Sequence, residues 1–211
     1  MPGIVYDPID AYIHDLAPRA DDALREVERQ GREERWPIVG PAEGSLLHIL
    51  ARAVRATRIL ELGTAIGYSG TWLARALPAD GELITVEWDP DTAAIATRNF
   101  TNTGVANRVR IEVGSAVDIL PRLKGPFDLI FNDIDKQFYV EVLSRCVEKL
   151  RLGGLLVTDN VLWSGTVAAK PRVKEAKVIH EYNERLATDP RMVAVIVPLR
   201  DGVSIAMKVR D

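Results

Sequence analysis

Cysteine is almost absent from this chain of 211 residues: Cys146 stands alone, which excludes an internal disulfide and with it the disulfide-stapled secreted folds. The three histidines, His14, His48 and His180, are scattered, and no Cys/His spacing suits a zinc site. Long apolar runs are missing too. None approaches the roughly 20 residues that a membrane span needs. None near the N-terminus has the form of a signal peptide, so a reducing cytoplasm without membrane contact is the expected setting. A strong charge of either sign is also lacking. With 27 basic and 30 acidic residues the net charge is -3, which leaves no broad positive field to hold nucleic acid. No repeat, low-complexity tract or interdomain linker interrupts the chain. Its 47% hydrophobic content suffices for one core, so a single domain over residues 1–211 is expected, with a helical N-terminal extension over about residues 1–40.

What the chain does have is a stretch, Arg58 to Gly70, around which the rest is organised. The apolar run Ile59 to Leu62 reads as a buried strand, Gly63, Gly67 and Gly70 follow, and Thr71 to Leu77 reads as a helix. Strand, glycine turn and helix together bring backbone N–H groups and a helix N-terminus against a nucleotide-like ligand. The spacing Gly63-x-x-x-Gly67-x-x-Gly70, with Glu61 ahead of it, is wider than the G-x-G-x-x-G of dinucleotide folds. It resembles the first motif of S-adenosylmethionine (SAM) dependent methyltransferases, in which the wider turn admits a methionine tail.

Ahead of this stretch, Asp7 to Leu16 and Arg19 to Gln30 read as charged helices separated by Pro18. Trp36 to Pro41 is an extended connector. Leu46, Leu47, Ile49, Leu50, Ala53 and Val54 repeat at helical spacing over Ala42 to Val54. Beyond it, Glu82 to Val86 is a second strand that delivers Glu87 at its carboxyl end. Asp89 caps the next helix, with Pro90 at its first position and Gly104 past its end. Val109 to Val113 is a third strand, Ala116 to Leu123 a short helix, and Phe127 to Phe131 a fourth strand. A helix from Phe138 to Leu150 carries Cys146 on its apolar face, as inert core. It leads through Gly153 and Gly154 into the strand Leu155 to Thr158. A loop of small and basic residues from Ser164 to Lys177 precedes a helix ending near Ala187. Val193 to Val197 and Val203 to Val209 close the chain as a hairpin through Arg200, Asp201 and Gly202. This alternation implies an α/β doubly wound, mostly parallel seven-stranded sheet with an antiparallel C-terminal hairpin.

In such sheets ligands bind outside the carboxyl ends of the strands, at the point where strand order reverses. Gly63, Glu87, Asp133 and Asp159 each follow a strand and therefore converge on one crevice. A carboxylate at Glu87 can accept both ribose hydroxyls of an adenosine. Asp133, Asp135 and Lys136 end one apolar strand, and Asp159 and Asn160 end the next. Carboxylates and an amide oxygen converging there form a hard-oxygen site suited to Mg²⁺, with Mn²⁺ or Ca²⁺ as alternatives.

The segments Glu61 to Ser69, Asn132 to Lys136 and Thr158 to Gly165 resemble the cation-dependent O-methyltransferases of the caffeoyl-CoA and catechol type, and the likeness covers nearly the whole chain. The resemblance implies Asp133, Asp159 and Asn160 as metal ligands and Lys136 as general base. It implies SAM contacts from Glu61, Gly63, Ser69, Glu87 and Ala116, with Val39 and Asp135 as further candidates. Gly67 of the turn and Asp133 join this cofactor set. It also implies a homodimer. Ser164 stands where the plant enzymes carry asparagine, and the N-terminus is shorter than theirs, which points away from a bulky CoA ester. The expected acceptor is a small phenol with two vicinal oxygens, one methylated and one completing a chelate.

Three other readings compete. Bacterial relatives that methylate 5-hydroxyuridine in tRNA share the short N-terminus and the Gly63 to Ser69 turn, although they tend to carry alanine in place of Asp135. Lys170, Arg172, Lys174 and Lys177 would then meet phosphates. The α/β pattern with Glu87 also admits a nicotinamide-linked oxidoreductase, against which the glycine spacing argues. A binding module without turnover would leave Lys136 and the three ligands unexplained.

Overall fold

The computed structural model of the chain describes residues 4–18, 20–168 and 173–211. Three helices come first: α1 (Asp7–Leu16), α2 (Asp22–Glu33) and α3 (Gly40–Ala53). The alternating part follows as β1 (Arg58–Leu62), α4 (Tyr68–Ala76), β2 (Glu82–Glu87), α5 (Pro90–Asn102), β3 (Val109–Val113), α6 (Ala116–Ile119), β4 (Phe127–Asn132), α7 (Tyr139–Lys149) and β5 (Leu150–Thr158). It ends with α8 (Lys174–Thr188), β6 (Met192–Val197) and β7 (Val203–Lys208). The seven strands form one sheet in the order β3-β2-β1-β4-β5-β7-β6. The first five are mutually parallel, and β7 runs antiparallel to both β5 and β6. Strand order reverses between β1 and β4, and the two pair directly from Ile59↔Leu129 to Leu62↔Asn132.

Alternation along each strand divides the core into two layers. Ile59, Leu83, Leu129 and Phe131 face one side, where Leu24 and Val27 of α2, Leu47 of α3, Leu73 of α4 and Phe100 of α5 close over them. Leu60, Leu62, Ile84 and Ile130 face the other, against Val142 and Cys146 of α7 and Ile179 and Tyr182 of α8. Strands buried on both faces read as mostly apolar runs, which is why β1, β2 and β4 are plain in the sequence despite Glu61, Thr85 and Asp128 within them. Cys146 is buried among these residues, and burial pushes its thiol up to about 12. No helix among the described residues is long and apolar enough to cross a membrane.

Where the elements differ from expectation, local chemistry gives the reason. Helix α4 starts at Tyr68, three residues before Thr71, because Gly67 takes the left-handed conformation (φ 83°) and caps it. Helix α2 starts at Asp22 rather than Arg19 because the Asp21 side chain accepts the N–H of Leu24 at 2.9 Å. The stretch Ala116 to Leu123 is split, α6 giving way to a 3₁₀ turn over Leu120–Arg122 with Pro121 inside it. Strand β5 begins at Leu150, ahead of Leu155. Its register against β4 shifts between Phe127 and Leu129, and this irregularity takes up Gly153 and Gly154. Lys174 and Lys177 stand in the first turns of α8, while Lys170 and Arg172 lie outside the described residues.

Candidate active site

The carboxyl ends of β1, β2, β4 and β5 open into one cleft of about 900 Å³. The connector Trp36 to Val39 lines one wall, and Gly114 and Ser115 with the start of α6 line another.

At its first end the glycine turn is shaped by two constraints. Gly63 has φ 97°, and a Cβ there would stand 2.4 Å from the carbonyl oxygen of Asp133, so no other residue fits. The turn then passes through Ala65 (φ 45°), whose N–H donates to Glu87 Oε2 at 2.9 Å. The N–H of Asp89 donates to Oε1 of the same carboxylate at 3.1 Å. Glu87 is 5% exposed, and burial raises its carboxyl against the opposing pull of these N–H groups. Its carboxylate faces the cleft beside Trp88, which is 77% exposed at the rim.

Two of the expected cofactor residues stand behind this turn. Glu61 is 0% exposed and on the α4 side of β1, where it accepts the hydroxyls of Ser69 at 2.7 Å and Thr85 at 2.6 Å. Thr85 is in turn bonded to Thr64 at 2.5 Å. Burial pushes the Glu61 carboxyl up to about 7. Gly67 packs on Phe100, where a Cβ would come within 2.9 Å of the ring. Neither lines the cleft, so in this geometry their part is to hold the turn in shape. Val39, Gly63, Ser69, Glu87, Ala116, Asp133 and Asp135 all line it.

The second end gathers Asp133, Lys136, Asp159 and Asn160. Asp133 is fixed by its N–H, which donates to the carbonyl of Leu62 at 2.8 Å across the reversal point. The Lys136 ammonium donates to Asp133 Oδ1 at 2.8 Å and to the carbonyl of Ile134 at 3.2 Å. It also lies 5.1 Å from the centre of the Tyr139 ring. Asp159 is buried behind it. Its Oδ1 accepts the N–H of Asn160 at 2.6 Å, its Oδ2 accepts Arg200 Nη1 at 3.3 Å, and its carbonyl accepts the Tyr139 hydroxyl at 2.8 Å. Burial and the charge of Asp133 push the Asp159 carboxyl up to about 7, with Arg200 opposing. Asn160 takes φ 57° to turn the chain out of β5.

Among the described residues no group of three or more His, Cys, Asp or Glu side chains has a metal-binding arrangement, so the donor set is two aspartates and an amide. That set still suits a hard dication. The three residues share one cleft, and a cation held there would offset the repulsion from Asp133 that adds to burial in raising Asp159.

Several lining residues were not expected from the sequence. Trp36, Pro37 and Ile38 read only as a connector, Trp163 only as part of the family-like segment Thr158 to Gly165, and Arg200 as part of a hairpin signal. Beneath them lies Glu43, 0% exposed on α3 and bonded to Arg200 Nη1 at 2.6 Å. One clue to it exists: Glu43 is an acid four residues before Leu47, on the stripe of α3 that also carries Leu47 and Ala51 into the core.

With this geometry in hand, the comparisons decide the family. The sequence profile of the family described as O-methyltransferase matches residues 16–209. The chain belongs to the O-methyltransferase family. It is an enzyme of that class, which closes the nicotinamide-linked reading. A catechol O-methyltransferase from Niastella koreensis is 38% identical, with 96% of this chain and 97% of the relative covered. A caffeoyl-CoA O-methyltransferase from Eucalyptus gunnii is 30% identical over 92% of this chain and 83% of its own. Among solved structures, an O-methyltransferase from Streptomyces achromogenes involved in tomaymycin synthesis, in complex with SAM, superposes with a TM-score of 0.88 at 35% identity, covering 96% of both chains. The O-methyltransferase from Bacillus cereus in complex with SAH gives 0.87 at 30% identity, covering 95% of this chain and 97% of its own.

Proposed function

We propose that this O-methyltransferase moves the methyl group of SAM to one hydroxyl of a small phenol with two vicinal oxygens, assisted by a divalent cation at Asp133, Asp159 and Asn160. The observation that carries the reading is the opposition, in one cleft, of a turn tied to the Glu87 carboxylate and a hard-oxygen cluster beside Lys136. SAM supplies an electrophilic methyl, so the protein's work is placement and exclusion of water. Glu87 retains lone pairs beyond its two backbone donors and accepts the ribose hydroxyls. The Gly63 turn leaves room for the methionine tail, and Trp36 to Val39 cover the reactants. A bound divalent cation favours the ionised form of a hydroxyl it touches. In its neutral amine form Lys136, held on Asp133, takes the acceptor's proton at Nζ, and Asp133 pairs with the ammonium that results. Asp159 and Asn160 would complete the set of oxygens that holds the cation beside Asp133.

A small phenol is favoured over a hydroxylated tRNA base because the net charge is -3 and Lys174 and Lys177 stand outside the cleft lining. We also infer a cytoplasmic homodimer. Its support is the family resemblance and an exposed apolar edge on β6, with Val193 and Val195 more than half exposed, as a surface for a second copy. Sedimentation at micromolar concentration tests that part.

The main test compares catechol, phenol and tRNA bearing 5-hydroxyuridine under saturating SAM and Mg²⁺. Catechol should be methylated and phenol should not. Equal rates on phenol would remove chelation from the mechanism, and turnover on tRNA alone would move the acceptor to RNA.

A further inference from the structure

Arg200 is an arginine at φ 51°, a left-handed conformation that a side chain rarely adopts, on the turn between β6 and β7. Its guanidinium reaches inward, with the side chain 27% exposed, and meets three acceptors. Nη1 donates to Glu43 Oε2 at 2.6 Å and to Asp159 Oδ2 at 3.3 Å, and Nη2 to the carbonyl of Ile38 at 3.3 Å. The turn itself is held down. The carbonyls of Asp201 and Gly202 accept the N–H groups of Leu162 at 2.9 Å and Val161 at 3.0 Å, and a Cβ on Gly202 would come within 2.5 Å of Leu162. The strained conformation is therefore imposed by surroundings that also fix the segment following Asn160.

The consequence concerns charge. One of the two oxygens of Asp159 is committed to a cation that belongs to the chain. The other accepts the Asn160 N–H. We propose that Arg200 sets the cation affinity of the site: by holding Asp159 Oδ2 and neutralising Glu43, it competes with a divalent metal for Asp159. It also keeps Glu43 from serving as a further ligand. Arg200 is thus a positioning residue that makes metal binding weak and readily reversible, and Glu43 is the anchor that keeps it in place. A guanidinium suits this part because it stays charged, and Nη1 reaches both carboxylates while Nη2 is held by the Ile38 carbonyl.

The proposal rests on the reading of Asp133, Asp159 and Asn160 as a cation site, and the experiment separates the two. Mn²⁺ binding to the full chain is measured by calorimetry and by the loss of the free-ion spin-resonance signal, without acceptor and without turnover. The variants are Arg200→Gly, which suits the positive φ, Arg200→Gln, which keeps the neutral hydrogen bonds, and Asp159→Asn. Both Arg200 variants should bind Mn²⁺ more tightly by roughly tenfold or more, as expected when a like charge leaves a partly buried site. Asp159→Asn should lose binding. In Glu43→Gln/Arg200→Gly the tightening should persist in part, through the oxygen released on Asp159. Wild type binding Mn²⁺ in an Asp159-dependent way, with Arg200 variants no tighter, would overturn the proposal and leave the cation site standing. No Mn²⁺ binding by any form would overturn both. Should both Arg200 variants fail to melt cooperatively, Arg200 belongs to the fold alone and the proposal is equally lost.

Discussion

The backbone N–H of Ala65 donates to Glu87 Oε2 at 2.9 Å, which ties the glycine turn after β1 to the carboxylate at the end of β2. The same carboxylate is proposed to take the ribose. Glu87→Ala should therefore loosen the turn and remove the ribose acceptor together. SAM affinity measured by calorimetry should fall by an amount on the order of 1–3 kcal/mol. Unchanged affinity would place the nucleoside elsewhere.

Gly63 has no room for a methyl group. Gly63→Ala must find space for a Cβ that would sit 2.4 Å from the Asp133 carbonyl oxygen, at φ 97°. Denaturant unfolding should show a loss of about 2–4 kcal/mol, from backbone strain plus overpacking. A midpoint within error of the wild type would mean that the turn and β4 are free to separate.

Glu61 supplies a pH dependence whose sign can be worked out. Its carboxyl is raised from 4.5 to about 7 by burial, so between these values the folded chain holds a proton that the unfolded chain has released. Stability from this group is then lost as pH rises from 4.5 to 7, and levels off above 7. Glu61→Gln has no such titration. The stability of wild type relative to this variant should fall by roughly 2–3 kcal/mol across that window. Melting curves from pH 4.5 to 8 provide the check, and a constant gap between the two proteins would show that Glu61 stays ionised.

The cation and Lys136 should separate cleanly in kinetics. A chelator should stop methyl transfer to catechol while SAM affinity stays within a few-fold, because Asp133, Asp159 and Asn160 serve the acceptor. Lys136→Met should lower the single-turnover rate by roughly 10²–10⁴-fold, the range of general-base catalysis. Its effect on SAM binding should be small. Full activity in chelator, with the metal shown to be gone, contradicts the first expectation, and an unaltered rate in Lys136→Met contradicts the second.

Much of this was readable from the chain because buried parallel strands announce themselves. Ile59 to Leu62, Leu83 to Val86 and Phe127 to Phe131 are mostly apolar on both faces, and Glu87 and Asp133, at the ends of the second and third, mark the cleft. Asp89 with Pro90 likewise reads as a helix start, and Asp89 Oδ1 does accept the N–H of Thr92 at 2.7 Å. Depth was not readable. Glu61 and Glu87 share one face of the sheet beside the glycine turn, yet the first lies beneath the turn and the second in the cleft, because Glu61 pairs with Thr85 inside the ladder while Glu87 stands two residues further on, at the carboxyl end of β2. Nor was the Glu43–Arg200 pair, whose members are separated by 157 positions and which no local pattern links. The start of β5 was hidden by Gly153 and Gly154, which suggest a turn but are absorbed as an irregularity in the ladder.

The reversal of strand order between β1 and β4 has a consequence for how such an enzyme can diversify. Most of the groups proposed to grip the methyl donor, among them Gly63, Ser69, Glu87 and Ala116, come from the β1–β3 half, and those facing the acceptor from the β4–β7 half. The halves meet along β1 and β4, where the Asp133 N–H bonds to the Leu62 carbonyl through backbone alone. Side chains on the acceptor half, such as Trp163 and Ser164, are therefore free to drift without disturbing the donor grip. An ancestor with one methyl donor can in this way found a lineage with many acceptors.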